Sequence, residues 1–222
     1  LMARARRAVV VGDDRQLSFI PQIGVAQDRN LMRAQGLDPS GMGRFAQSRR
    51  SLFDLANLTP GAARVMLRDQ YRSAPRIVDY ISRQFYGGRL RAAGDVDRLN
   101  APAAARPGLA WTDVTAPTAP ASGNVNAAEA RVIAAHLEEL LIAEGYDGSV
   151  GAITPFRPQA VAIDEAVRAS LSAEALEKAE FRAGTVDSFQ GQERDLILFS
   201  PCLGPASAAS ARRSTDRFTA RT

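Results

Sequence analysis

Apolar residues fall along this chain in two kinds of grouping, short unbroken runs and stripes spaced three or four positions apart. Ala8 to Val11 is a run that ends at a Gly-Asp turn, and Val150 to Ile153 and Leu196 to Phe199 are two more. Runs of this length suit parallel strands buried on both faces. Ala63 to Leu67, Leu109 to Val114 and Phe181 to Val186 read as further strands. Between them lie helical stripes. Pro75 opens a helix with Ile77, Val78, Ile81 and Phe85 on one face and Gly87-Gly88 as its stop, and that stripe predicts packing on a sheet. Asn126, with Glu129 three residues on, reads as the cap of a helix that turns Val132, Ile133, Leu137, Leu140 and Leu141 inward and stops at Gly145. Gln159 to Ser172 and Leu171 to Glu180 predict two more helices. Residues 18 to 50 are rich in Gly, Gln, Asp, Arg and Ser without a clear period, which predicts an irregular connection with one helix near 44 to 57. The Pro, Ala and Thr stretch after Val114 predicts a mobile loop. Strand and helix alternate, so the expected fold class is α/β, a mostly parallel sheet with helices on both faces.

Composition narrows the class. With 45% hydrophobic residues in 222, the chain has enough apolar surface for one substantial core or two modest ones. No apolar run approaches the roughly 20 residues that span a bilayer, and the first seven residues lack the apolar stretch of a secretory signal. The expectation is therefore no membrane association and a cytoplasmic location. One cysteine, Cys202, and one histidine, His136, exclude a disulfide framework and a closed zinc site within one chain, and leave little room for Cys-His catalysis. His136 sits mid-helix and reads as a surface or core-edge residue. The net charge of +4 is concentrated in the termini: Arg4, Arg6 and Arg7 at one end, and Arg212, Arg213, Arg217 and Arg221 against Asp216 at the other. The body between them is left at about −2, so bulk charge alone gives no nucleic-acid signal.

The chemistry is concentrated in turns that follow predicted strands, where α/β proteins place their ligand sites. Gly12-Asp13-Asp14-Arg15-Gln16-Leu17 follows the first run. Gln70-Tyr71-Arg72-Ser73-Ala74-Pro75 follows the second, and Ile153-Thr154-Pro155-Phe156 closes the Val150 run. Gly184-Thr185-Val186-Asp187-Ser188-Phe189-Gln190-Gly191-Gln192-Glu193-Arg194-Asp195 leads straight into Leu196. On residue type alone each has a plain reading: Arg72 as a helix-start salt bridge, Tyr71 as core, Glu193 as solvated loop, and Thr154, Thr185 and Ser188 as strand-end hydroxyls satisfying their own turns.

Taken together the turns resemble the motifs of superfamily 1 helicases, in the 1B branch that includes the nonsense-mediated-decay RNA helicases and related DNA helicases. The resemblance covers roughly residues 7 to 202. It rests on Gly12-Asp13-x-x-Gln16-Leu17, on Gln70-Tyr71-Arg72 with Phe85-Tyr86-Gly87-Gly88-Arg89-Leu90, and on Val186-Asp187-Ser188-Phe189-Gln190-Gly191-Gln192-Glu193. It implies a RecA-like P-loop NTPase fold in which two domains clamp ATP and nucleic acid crosses their tops. Residues 1–62 would then be the C-terminal part of the first RecA-like domain, 63–204 the second, and 205–222 a truncated basic tail.

The resemblance also implies roles. Gln16 would sense the γ-phosphate from the first domain and Arg72 would reach it from the second, its planar, permanently charged fork matching a phosphoryl group. Tyr71 would lie against adenine and Glu193 would accept from the ribose. Thr154, Thr185 and Ser188 would contact the nucleic-acid backbone, since short hydroxyls bind phosphates without reading sequence. Asp187, Gln190 and Gly191 would shape the loop between groove and nucleotide, Gly191 through a backbone angle that other residues resist.

The chain holds no Gly-x-x-x-x-Gly-Lys-Ser/Thr loop, because its only lysine is Lys178 in a Glu-Lys-Ala-Glu context. An Asp-Glu magnesium pair before Gly12 is absent too, and Arg217 and Arg221 stand outside the expected Thr-Arg-Ala frame. The expectation is a piece of an ATP-dependent helicase: the parent would use ATP, with Mg2+ carried by the nucleotide, to step along single-stranded DNA or RNA. The partner of this chain would be the missing first RecA-like domain of the same polypeptide, and the 222 residues alone would be inactive. The alternative is a non-catalytic RecA-like module that binds nucleic acid or protein. A nuclease or deaminase is disfavoured by the lack of a metal-binding constellation.

Overall fold

The computed structural model describes residues 6–17, 20–103, 107–114 and 124–202. They fall into two units, Leu1–Arg68 with Arg83–Arg89, and Asp69–Ser82 with Leu90–Thr222. Of the basic residues expected at the N-terminus Arg6 and Arg7 are described and exposed, whereas Arg4, the basic tail at 205–222 and the loop after Val114 from 115 to 123 lie outside the described residues.

The first unit is helical. Helix α1 (Val25–Ala34) is followed by the short α2 (Pro39–Met42), a 3-10 turn at Gly43–Phe45, and α3 (Leu52–Asn57). Asp38 caps α2 by accepting from the Ser40 and Gly41 N–H groups, each at 3.0 Å. Ser51 caps α3 in a reciprocal box, its Oγ accepting from Asp54 N at 3.1 Å while Asp54 accepts from Ser51 N at 2.7 Å. The aperiodic stretch 18 to 50 thus contains α1, which the sequence pattern misses because its contacts are polar: Asp28 is its one buried residue.

The strands expected at Ala8–Val11 and Ala63–Leu67 do not form, and Val9 and Val65 are 92% and 88% exposed. A parallel strand is held by backbone partners, and among the described residues of this unit no strand is present to pair with either run. In the second unit Leu109–Val114 likewise forms no strand, and Trp111 is 75% exposed with its indole N–H donated to Asp113.

The second unit carries two parallel sheets. Strand β1 (Asp69–Gln70) pairs with β2 (Arg91–Ala92), and between them in sequence runs α4 (Pro75–Phe85), whose Pro75 start and glycine stop agree with the sequence pattern. The larger sheet has the order β4-β3-β5, with β3 (Val150–Thr154) central, β4 (Arg182–Thr185) on one side and β5 (Leu196–Phe199) on the other, all parallel. Helices α5 (Ala127–Glu138, continued by a π turn at Glu139–Ala143), α6 (Arg157–Ser170) and α7 (Ala173–Lys178) complete it.

Alternation along β3 organises the core. Val150 and Ala152 join Ile133, Leu137 and Leu140 of the α5 segment and Ile163 and Val167 of α6 in one buried cluster. Gly151 faces the opposite way, where a Cβ would meet the Phe189 ring at 2.7 Å, so the missing side chain makes room for that aromatic. Asn126 caps α5 as the sequence suggests, but Glu129 returns the bond to the Asn126 side-chain amide, because the Asn126 backbone N–H is taken by Gln159 at 2.7 Å. His136 is exposed on α5.

Candidate functional site

Three of the four polar turns named above stand at strand ends in the second unit, whereas Gly12–Leu17 lies in the first unit and, among the described residues, follows no strand. In the second unit, β1 ends at Gln70 and the chain turns through Tyr71 and Arg72 into α4. Gln70 builds this turn: its Oε1 accepts from Ser73 N at 3.1 Å and its Nε2 donates to Ser73 Oγ at 3.3 Å. Gly94 closes against the other side, where a Cβ would stand 2.6 Å from the Tyr71 carbonyl oxygen. Neither residue carries a role in the sequence reading; both support the turn that displays Tyr71 and Arg72. Tyr71 is 69% exposed, so the plain reading of it as core is wrong for this arrangement.

Arg72 Nε donates to Glu193 Oε1 at 2.5 Å, joining two motifs 121 positions apart. Both side chains are more than half exposed, and among the described residues the Arg72 Nη groups make no hydrogen bond. Glu193 is presented by a loop tied at both ends. On one side the 3-10 turn Asp187–Phe189 seats Phe189 in the core, and Gly191 takes φ +80°, the left-handed conformation that glycine adopts without strain. On the other, Asp195 Oδ2 accepts from Ser149 N at 2.8 Å and from Ser149 Oγ at 2.7 Å, which fixes the entry to β5 beside β3.

Thr154 and Thr185 pair in register at the carboxyl ends of β3 and β4. Ser188 Oγ donates to the Thr185 carbonyl at 2.8 Å. The three expected backbone-contact residues therefore converge on one edge of the sheet, with one correction: Thr154 has no exposed surface, its Oγ accepting from Phe156 N at 3.4 Å. The alternation that turns Val150 and Ala152 inward carries Thr154 with them. Thr185 and Ser188 are half-buried and leave surface for a ligand.

That edge is braced from beneath by a buried polar network which the sequence did not reveal. Glu129 accepts from Ser200 Oγ, from Asn126 Nδ2 at 2.8 Å and from Cys202 N at 2.9 Å. Gln159 bridges it, donating to Asn126 O and Ser200 Oγ, both at 3.0 Å. Ser200 N donates to Ile153 O at 2.8 Å, so the network ties the end of β5 to β3, α5 and α6. Burial, with the Glu129 charge beside it, pushes the Cys202 thiol up to about 11.

In the first unit the Gly12–Leu17 turn is organised by Asp13. Its carboxylate accepts from Tyr86 Oη at 2.6 Å, from Gln16 Nε2 at 2.7 Å and from Arg15 N at 2.9 Å. Partial burial would raise this carboxyl, but the hydrogen bonds from Tyr86, Arg15 N and Gln16 outweigh it and hold the group below 3.8. The same burial and the facing carboxylate push Tyr86 up to about 12. Gln16 is exposed, with its amide nitrogen held by Asp13 and, among the described residues, no partner for its oxygen. Gln16 belongs to the first unit, and Tyr71, Arg72 and Glu193 belong to the second.

Residues 48–204 match the family described as AAA domain. The chain is 26% identical over 217 residues to DNA polymerase alpha-associated DNA helicase A of Saccharomyces cerevisiae, covering 87% of this chain and 29% of that protein. It is 26% identical over 210 residues to Regulator of nonsense transcripts 1 homolog of Neurospora crassa, covering 90% of this chain and 18% of that protein. The chain thus spans less than a third of the length of either relative.

Proposed function

From the premise that this chain belongs to the AAA-domain family and is a superfamily 1 helicase-like domain, we propose that it serves an ATP-dependent helicase that translocates on single-stranded DNA or RNA. The observation that carries the reading is the Arg72–Glu193 contact, which unites the Gln-Tyr-Arg and Gln-Gly-x-Glu motifs on one exposed surface beside Tyr71.

The donor set suits a nucleotide. Arg72 keeps its Nη fork for a phosphate, Tyr71 offers an exposed ring for a base, and Glu193 offers a carboxylate for a ribose hydroxyl. Gln16, its amide held by Asp13, would contact the γ-phosphate, as its place in the Gly-Asp-x-x-Gln-Leu motif implies. ATP would supply the phosphoryl group and Mg2+, bound through it, the charge neutralisation that phosphoryl transfer needs. The Glu193 carboxylate holds Arg72 through Nε while the Nη groups are offered to phosphate, so nucleotide occupancy would bear on the position of the 187–195 loop that carries Glu193. Because Thr185 and Ser188 stand on the same loop and strand edge, that coupling reaches the residues proposed to contact the nucleic-acid backbone. Thr154 supports them from inside the sheet.

The 222 residues contain no phosphate-binding loop with its lysine, and on this reading they do not hydrolyse ATP by themselves. The test is the ATPase rate, with and without single-stranded nucleic acid, of a polypeptide in which this chain follows a phosphate-binding loop and an Asp-Glu pair. Stimulation that Arg72→Ala removes supports the proposal, and an unchanged rate in that variant refutes it.

A further inference from the structure

The helical unit contains a basic cleft that none of the motifs accounts for. It encloses about 570 Å³ and is lined by Arg29, Arg33, Arg44, Arg49 and Arg50 together with Pro39, Ser40 and Gly43. Arg29 and Arg33 lie four apart on α1 and so project from one face, Arg44 comes from the 3-10 turn, and Arg49 and Arg50 come from the turn before the Ser51 cap. All five are exposed, and among the described residues none is in an ion pair.

The local carboxylates are spent on building the cleft. Asp28, buried on α1, accepts from Ser48 N at 2.9 Å and pins the 46–50 turn against the helix. Asp38 caps α2 through two backbone N–H groups, which hold its carboxyl below 3.8. Both acids therefore satisfy backbone donors, and five guanidinium groups are left around one hollow. Gathering like charges without counter-charges works against folding and favours an anionic ligand.

We infer that this cleft binds the phosphodiester backbone of a single nucleic-acid strand, as a contact surface additional to the Thr185–Ser188 edge. The inference rests on the reading that the chain handles nucleic acid. Planar guanidinium forks match phosphate oxygens in pairs, and five of them around this volume suit a run of phosphates better than one ion. Phe45 favours nucleic acid over an acidic peptide: it follows the lining residue Arg44, is 47% exposed, and has its ring 4.7 Å from the Arg44 guanidinium, so it would offer aromatic surface for a base next to the basic groove.

The test is fluorescence anisotropy of a labelled single-stranded oligonucleotide titrated with the 222-residue chain over a range of salt concentrations. Each phosphate contact contributes about 0.7 to the slope of log affinity against log salt. The variant R29Q/R33Q/R49Q/R50Q is therefore expected to lose about 2 to 3 from the slope and at least about tenfold in affinity. R29K/R33K/R49K/R50K keeps most of the slope, and R98Q leaves it unchanged. A wild-type chain that binds with a slope the glutamine variant shares overturns the cleft and leaves the nucleic-acid reading standing; a wild-type chain that does not bind overturns both. Polyglutamate that displaces the oligonucleotide as well as unlabelled strand does would make this a site for acidic protein and overturn the inference. A second readout needs no variant to fold: a 4-thiouridine strand photocrosslinks to peptides within 29–50, and crosslinks confined to other segments refute the proposal.

Discussion

The side chain of Arg72 donates from Nε to Glu193 Oε1 at 2.5 Å, with the Nη groups of the same guanidinium left for other partners. Solvent reaches both residues, so the pair is worth at most about 1 kcal/mol to the fold. Arg72→Ala is expected to leave the unfolding midpoint nearly unchanged while lowering the ATPase rate of the complete motor by about 10³ or more, the range an arginine at a transferring phosphate supplies. Thermal melts and steady-state hydrolysis of the same variant separate the two effects; a large loss of stability would make Arg72 a structural residue instead.

Gly94 tests whether the Tyr71–Arg72 turn is set by steric support. A methyl group there would lie 2.6 Å from the Tyr71 carbonyl, so Gly94→Ala must move one or the other. The expected outcome is weakened nucleotide binding with a stability cost of about 1–3 kcal/mol, the usual penalty for overpacking. Binding of a fluorescent nucleotide, compared with that of Gly24→Ala, where a Cβ meets nothing within 4 Å, checks it.

Glu129→Ala removes the acceptor for Ser200, Asn126 and Cys202 in the interior of the second unit. Leaving buried donors unmatched predicts a loss of about 2–4 kcal/mol, read from urea denaturation. Glu129→Gln, which keeps the shape and removes the charge, should also bring the Cys202 thiol down from about 11 towards its ordinary 9.0. Alkylation of Cys202 at mildly alkaline pH then runs faster in that variant than in the wild type, and equal rates would leave burial alone as the cause of the raised thiol.

The Asp13–Tyr86 bond predicts pH dependence with a definite sign. The Asp13 carboxyl titrates lower in the folded state than its unfolded value of 3.8, so its contribution is present above that value and is lost as pH falls through the folded one. Tyr86 titrates higher when folded, near 12 against 10.0, so its contribution is complete below pH 10 and is lost as pH rises towards 12. Tyr86→Phe should cost about 1 kcal/mol at neutral pH, after allowing for the solvent exposure of the pair. It should also flatten the alkaline loss, as followed by tyrosinate absorbance alongside the unfolding curve.

Sequence pattern reached the second unit far better than the first. The caps at Asn126 and Pro75, the α5 stripe at Ile133, Leu137 and Leu140, and the runs at β3 and β5 mark local preferences that the surrounding core reinforces, whereas Val132, expected inward, is 39% exposed. The runs at Ala8, Ala63 and Leu109 have the same strand-like composition and form none, because ladder bonds depend on a neighbouring strand that composition does not encode. Helix α1 went unseen for the opposite reason, since Asp28 and the arginines give it a polar rather than an apolar stripe. Gln16, Tyr71, Arg72 and Glu193 were legible as motif members, whereas the Arg72–Glu193 contact, the Asp13 hub and the Gln159 bridge join positions far apart in sequence or differ from the expected partner. The burial of Thr154 follows from strand alternation carried one residue past the predicted end of β3.

The most direct test of the account is a double-mutant cycle on Gln16 and Arg72, measuring strand-stimulated ATP hydrolysis in a polypeptide that places this chain after a phosphate-binding loop. If both side chains act on one phosphate, as the proposed function requires, their losses are non-additive, and Gln16→Ala combined with Arg72→Ala is expected to cost little more than Arg72→Ala alone. Fully additive losses, or hydrolysis that persists when both side chains are gone, would contradict it.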